Sequence, residues 1–294
     1  MRLNVLGVVL ACLLGPACNT ALAATCVHDD TGQPVCIRSA VPVKRVLSLS
    51  PHLTEIAAYV GGVGQLLAVD DSSNHPNEVV KLPRIRQPWL ASTESLLAYK
   101  PDLVLAWQSG ISQTAVAQLR AAGVPVFVSE PTSVQAVAEN MVAVAKLMGH
   151  WPAQAQKIDA WRAKMASLQT THAGKLPVRV FYQVWHQPLM TLGGKHLVTE
   201  ILAMCGGRNV FADQPGLSPT VNLETVISRK PSVILASGGA ESETALKIQW
   251  STWRSIPAVA MGHVHTLPPD LLVRQGPRLL EATERICGLL DSVR

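Results

Sequence analysis

One stretch of this chain occurs twice: ESLLAYKPDLVLAW runs from Glu94 to Trp107, and ETVISRKPSVILAS runs from Glu224 to Ser237. Each copy is a Glu, five residues, a Lys-Pro pair and a short apolar run. Ser92 and Asn222 stand two residues ahead of these glutamates. Each copy therefore predicts a short helix opened by a capping side chain and a carboxylate on the helix dipole. Proline cannot continue a helix and disfavours the helical region for the residue before it, so Lys-Pro should end the helix and release the apolar run as a buried strand. A chain that contains this helix-to-strand unit twice is constrained to two similar halves.

The rest of the sequence fits that constraint. Arg45 to Ser50 (RVLSLS) predicts a strand, and Pro51 opens a helix running to Gly61-Gly62. Leu66 to Val69, Asp102 to Ala106 and Val124 to Val128 predict further strands, separated by helical segments such as Thr114 to Ala122. After Gly174 the alternation restarts: Val178 to Val184, a helix around Leu197 to Cys205, Val233 to Ala236, His263 to Leu267, and a closing helix from Pro277 to Val293. Alternation of this kind predicts an α/β chain of two lobes with mainly parallel sheets. Between the lobes, Val134 to Leu168 reads as helical, interrupted by Gly149 and Pro152. The expected organisation is an N-terminal segment 24–44 built on a hairpin, a lobe 45–133, a linking helix 134–174 and a lobe 175–294. A single long rigid helix joining the lobes is stiffer than a loop and should limit hinging.

The first 23 residues read as an export signal: Arg2, an apolar run from Leu3 to Leu14, and a small-x-small site at Ala21-Leu22-Ala23. Cleavage is expected after Ala23; lipid attachment at Cys18 is disfavoured by Gly15 and Pro16 ahead of it. Cys26, Cys36, Cys205 and Cys287 would remain in an oxidising compartment. Cys26 and Cys36 bracket turn chemistry, DDTG, and a cross-linked hairpin follows. Cys205 and Cys287 lie on predicted helices and either form a bridge or remain as two buried thiols. Charged residues make up only 15% of the chain, too few for a disordered one, and the net charge of +5 includes no Lys/Arg block of the kind that grips nucleic acid.

The run RVLSLSPHLTEIAAYVGG, the two Glu-to-strand units and CGGRNVF at Cys205 to Phe211 together resemble the periplasmic solute-binding proteins of ABC importers whose lobes are joined by one rigid helix. Within that class the chain is most similar to the cobalamin binders, over roughly Arg45 to the C-terminus. The resemblance implies a monomer in the periplasm that clamps a ligand in a cleft between the lobes. It also implies one surface Glu on each lobe, here Glu94 and Glu224, docking on arginines of the membrane permease. Cobalamin would be cargo, and no cofactor or resident metal is implied. Asp270 and Arg274 resemble a pair that hydrogen-bonds the ligand's amides, with an i, i+4 salt bridge as the competing role. Ser72, Met190 and Ser218 stand where an aromatic residue is usual, which implies a wider pocket.

Independently of the resemblance, Trp89, Trp107 and Trp185 fall at strand ends or in adjacent loops, where a flat apolar face suits a large planar ligand. Core filling is the alternative for each, and it is the expectation for Trp151, Trp161, Trp250 and Trp253, which are predicted on helices. His186, next to Trp185, could approach a metal in the ligand or be a polar loop residue. Haem would want a Tyr or His ligand, and an anionic siderophore would want several basic residues in the cleft. His263 and His265 share a strand face but have no third metal ligand nearby in sequence. No nucleophile elbow, zinc-protease helix, phosphate loop or CxxC is present, so a binder is expected rather than a secreted enzyme.

Overall fold

The computed structural model describes residues 24–38 and 42–294. The expected export signal, its cleavage after Ala23 and Cys18 lie outside the described residues. The chain begins with an antiparallel hairpin of β1 (Thr25–His28) and β2 (Pro34–Ile37), in which Cys26 and Cys36 face each other and are joined by a disulfide. The DDTG turn closes it as its side chains dictate: the Asp29 carboxylate accepts from the Thr31 amide at 2.9 Å and the Gln33 amide at 3.0 Å. The Asp30 amide then donates to the Val128 carbonyl at 3.0 Å, fastening the hairpin to the first lobe.

That lobe contains β3 (Val46–Ser48), α1 (Pro51–Tyr59), β4 (Leu66–Asp70), β5 (Arg84–Ile85), α2 (Thr93–Leu97), β6 (Leu103–Trp107), α3 (Gln113–Ala121) and β7 (Val126–Ser129). All pairings are parallel, in the order β5-β4-β3-β6-β7. Next come α4 (Val134–Leu147) and α5 (Ala155–His172). The second lobe follows with β8 (Val178–Gln183), α6 (Leu197–Met204), β9 (Gly207–Asn209), α7 (Leu223–Ser228), β10 (Val233–Ser237), α8 (Ala240–Trp250), α9 (Pro257–Ala260), β11 (Val264–Leu267), α10 (Pro269–Leu272) and α11 (Leu279–Ser292). Its sheet is also parallel, in the order β11-β10-β8-β9. The strands are apolar runs because helices cover both faces: β3 and β7 are buried along their whole length.

Segment 134–174 is two helices rather than one. Gly149, at φ +79°, terminates α4 in a conformation open to glycine, and the Trp151-Pro152 pair prevents direct continuation. The 18-residue α5 is the single helix that passes from one lobe to the other. It is fixed by Ile158, Trp161 and Met165, all buried, and by Trp161 Nε1 donating to the Pro277 carbonyl at 2.8 Å. One apolar core runs without interruption from Leu53 and Ile56 of α1, through Met141 and Trp161, to Ile201 and Leu290 of the second lobe. Smaller clusters fill the far face of each sheet. Cys205 and Cys287, both buried, form the second disulfide and pin the end of α6 to α11.

The repeated stretch folds the same way twice. Ser92 Oγ accepts from the Ser95 amide at 3.2 Å, and Asn222 Oδ1 accepts from the Thr225 amide at 2.8 Å, so both expected caps form. Lys100 and Lys230 end their helices in the left-handed region, at φ +47° and +41°. An arginine from the opening of each lobe covers the exposed carbonyls of that helix end: Arg45 donates to those of Tyr99 and Lys100, Arg179 to those of Arg229 and Lys230.

Candidate functional site

In open parallel sheets a ligand crevice forms at the carboxyl ends of the strands, where the strand order reverses. In the first lobe the order reverses at β3, whose neighbours are β4 and β6; in the second it reverses at β8, whose neighbours are β9 and β10. The loops leaving these strands are 49–52 and 107–110 in one lobe, and 184–190 and 238–239 in the other. Each group contains a candidate tryptophan.

Trp107 ends β6 half-buried, its ring edge-on to His52 at 6.3 Å between centroids. Gly110 makes room for it, since a Cβ there would stand 2.5 Å from the indole. Trp107 Nε1 is buried and has no protein partner. His52 beneath it is fully enclosed, sharing hydrogen bonds with Ser50 Oγ at 3.2 Å and Ser129 Oγ at 3.0 Å. Burial pushes the His52 pKa down to about 3, so the ring is neutral. The Trp107 loop is tied back by Glu130 Oε2, which accepts from the Ser109 amide at 3.0 Å and its hydroxyl at 2.8 Å.

Trp89 and Trp185 are 54% and 61% exposed, unusual for so large an apolar surface on loops. Trp89 sits on a 3₁₀ turn, Pro88–Leu90, and Trp185 is held by its own Nε1 donating to the Gln187 carbonyl at 3.0 Å. His186 is exposed and lines a cavity of about 220 Å³ with Gln187, Leu189, Leu223, Gln249, Trp250 and Trp253. Of the four tryptophans predicted as helical core, Trp161 and Trp250 are that. Trp151 and Trp253 instead lie in turns, one just before Pro152 and one after α8, and Trp253 is partly exposed.

Between the lobes the loops meet in a cluster of charges. Arg274 Nη1 donates to Glu55 Oε1 at 3.0 Å and Asn74 Oδ1 at 2.6 Å, while Nη2 reaches the Ser72 carbonyl and Asp270 Oδ1, both at 3.0 Å. Arg278 Nη1 also reaches Glu55 Oε1, at 3.3 Å, and Asn74 Nδ2 donates to Asp270 Oδ2 at 3.0 Å. Arg274 and Glu55 are 6% and 3% exposed. Burial raises the Glu55 pKa, and the two guanidiniums pull it back. The Asp270–Arg274 pair thus forms the i, i+4 salt bridge, and most of the Arg274 donors are engaged by the protein itself. Glu55, Asn74 and His52 were not singled out from the sequence. Glu55 does carry a signal: a carboxylate set beside Leu53, Ile56 and Ala57 on the core face of α1 needs a cationic partner.

Glu94 and Glu224 are both solvent-exposed in the first turns of α2 and α7. The Glu94 carboxyl is held below its usual pKa by hydrogen bonds from its own backbone amide and from Ser92. Two antiparallel bridges, Trp185 with Met190 and Met190 with Thr220, connect the Trp185 loop to the segment that enters α7. His263 and His265 lie on β11, and no His, Cys, Asp or Glu cluster suited to a metal ion occurs among the described residues.

The fold and its motifs have clear relatives. Over 259 residues the chain is 33% identical to the vitamin B12-binding protein of Vibrio cholerae serotype O1, covering 87% of this chain and 92% of that protein. The solved structure of the periplasmic vitamin B12 binding protein of Vibrio cholerae superposes with a TM-score of 0.77 at 32% identity, over 86% of this chain and 98% of that one. A periplasmic haem-binding protein from Roseiflexus sp. RS-1 superposes with a TM-score of 0.76 at 25% identity, over 86% and 100%. Residues 46–271 match the model described as periplasmic binding protein. From the first strand of one lobe to the last of the other, this chain belongs to the periplasmic binding protein family.

Proposed function

We propose that the protein captures cobalamin, or a related corrinoid, between its lobes and delivers it to the permease of an ABC importer without transforming it. The observation that carries this reading is the pair of exposed tryptophans on strand-end loops of opposite lobes, Trp89 and Trp185, with Trp107 lower in the cleft. Such surfaces suit the flat, largely apolar face of a macrocycle, and amide side chains of a corrin would find Asp270 and the one remaining donor of Arg274 at the floor. The vitamin B12-binding relatives support the choice of cargo. Haem is the second reading, favoured by the haem-binding structural neighbour and by exposed His186, a candidate axial ligand.

Titration calorimetry of the purified mature protein separates them. Cyanocobalamin should bind one-to-one and quench tryptophan fluorescence, and Trp185→Ala should weaken binding by roughly tenfold, as expected for loss of an aromatic anchor. Tight haem binding with no heat from cyanocobalamin would overturn the assignment.

A further inference from the structure

We propose that Glu55 is a positioning residue: it holds Arg274, and through it the loop bearing Asp270, against the first lobe, and so fixes the angle between the lobes at the floor of the cleft. Glu55 belongs to α1, and Arg274 and Arg278 lie at the entrance to α11 of the other lobe. Three of the four Arg274 hydrogen bonds cross between lobes, to Glu55, Asn74 and the Ser72 carbonyl. Asn74 closes the ring by donating to Asp270. The arginine loop lies directly on α1, where a side chain at Gly276 would stand 3.4 Å from the His52 carbonyl.

The energetics favour a clamp over a passive contact. Two guanidiniums share one carboxylate oxygen, Glu55 Oε1; Glu55 and Arg274 are buried while Arg278 keeps partial contact with solvent, and Glu55 Oε2 is buried with no protein partner. Removing either arginine would leave this buried charge less compensated, which is destabilising. Swinging the lobes apart would separate Glu55 from Arg274, leaving each buried charge to rehydrate. The shared apolar core restrains the lobes from behind, through α5, and the Glu55 cluster restrains them from inside the cleft.

Hydrogen exchange on the empty protein tests this without reference to cargo. Glu55→Gln keeps the shape and one acceptor but removes the charge. Amides of residues 72–75 and of residues 270–276, from opposite lobes, should then exchange faster together, by roughly tenfold. Asn74→Ala, at an exposed position, should shift both loops in the same direction by less. The amides of α2 and α7 should not change. Acceleration of only one of the two loops, or a uniform rise across α1 and its core, would overturn the clamp and leave Glu55 a structural residue of its own lobe. The consequence for binding rests on the corrinoid reading: Glu55→Gln should weaken cyanocobalamin binding several-fold, because the Asp270 loop loses its register. Failure of the wild type to bind cyanocobalamin would sink that reading alone, since exchange in the empty protein decides the clamp.

Discussion

At the scale of single residues, the cleft is underlain by polar side chains whose states burial has fixed. His52 is the clearest case. Its unfolded value is near 6.5 and its folded value near 3, so between those limits the unfolded chain takes up a proton that the native state refuses. Stability should therefore fall as pH drops from about 6.5 toward 3, by up to about 1.4 kcal/mol per pH unit from this group. Glu55, raised by burial, acts in the opposite sense and gains from mild acid. Comparing variants isolates the histidine: His52→Gln should be less stable than wild type at pH 7 yet lose less on transfer to pH 5. Urea midpoints at the two pH values check it; parallel acid sensitivity in both proteins would show that His52 is not the titrating group.

At the scale of elements, the repeated unit is a helix kept short on purpose. Its start is set by Ser92 or Asn222, and its end by a lysine in left-handed backbone followed by a proline that cannot continue the helix. Replacing Asn222 by Ala leaves the Thr225 amide without its partner and should lower stability by about 1 kcal/mol. Lys100→Gly should be close to neutral, since relief of strain at φ +47° offsets the greater freedom of glycine in the unfolded chain. Lys100→Val should instead lose roughly 1–2 kcal/mol, because a β-branched residue resists that conformation. Thermal unfolding of the three variants tests the account, and a tolerated valine would contradict it.

At the scale of the whole molecule, one unit serves both lobes and places Glu94 and Glu224 at matching positions. If they contact basic permease loops, Glu94→Arg with Glu224→Arg should leave cyanocobalamin titration normal and abolish uptake, because two-point attachment fails and like charges repel. Wild-type uptake by that double variant would leave these glutamates only their part in the helix dipole. The disulfides act on the same scale. Cys205–Cys287 closes a separation of 82 residues, and its removal should cost roughly 4.5 kcal/mol, against roughly 2.7 kcal/mol for the 10-residue separation of Cys26–Cys36. Chemical denaturation of the two double-alanine variants should give that order; the reverse order would argue that the hairpin, not the α6–α11 bridge, restrains the unfolded chain more.

Much of this was written in neighbours along the chain. Helix starts at Ser92 and Asn222, stops at Lys-Pro, the apolar character of the strands in both lobes and the cross-linked hairpin are carried by residues a few positions apart, and local stereochemistry and patterning make them readable. The placement of Glu94 and Glu224 in the first turns of α2 and α7 was legible for the same reason, since each stands two residues after its capping side chain. Tertiary structure decided the remainder. β5 and β9, with two and three residues, are too short to carry a periodic signal and exist because β4 and β8 offer them partners. Gly149 and Pro152 were visible as breaks, but only packing showed that α5 alone crosses between the lobes. Arg274 is the sharpest case: its neighbour in sequence, Asp270, suggested a local pair, whereas its buried partner, Glu55, is 219 residues away. Local stereochemistry decides which residues start and stop an element, but a buried charge is matched wherever the folded sheets bring a countercharge within reach, and that distance is set by the whole fold.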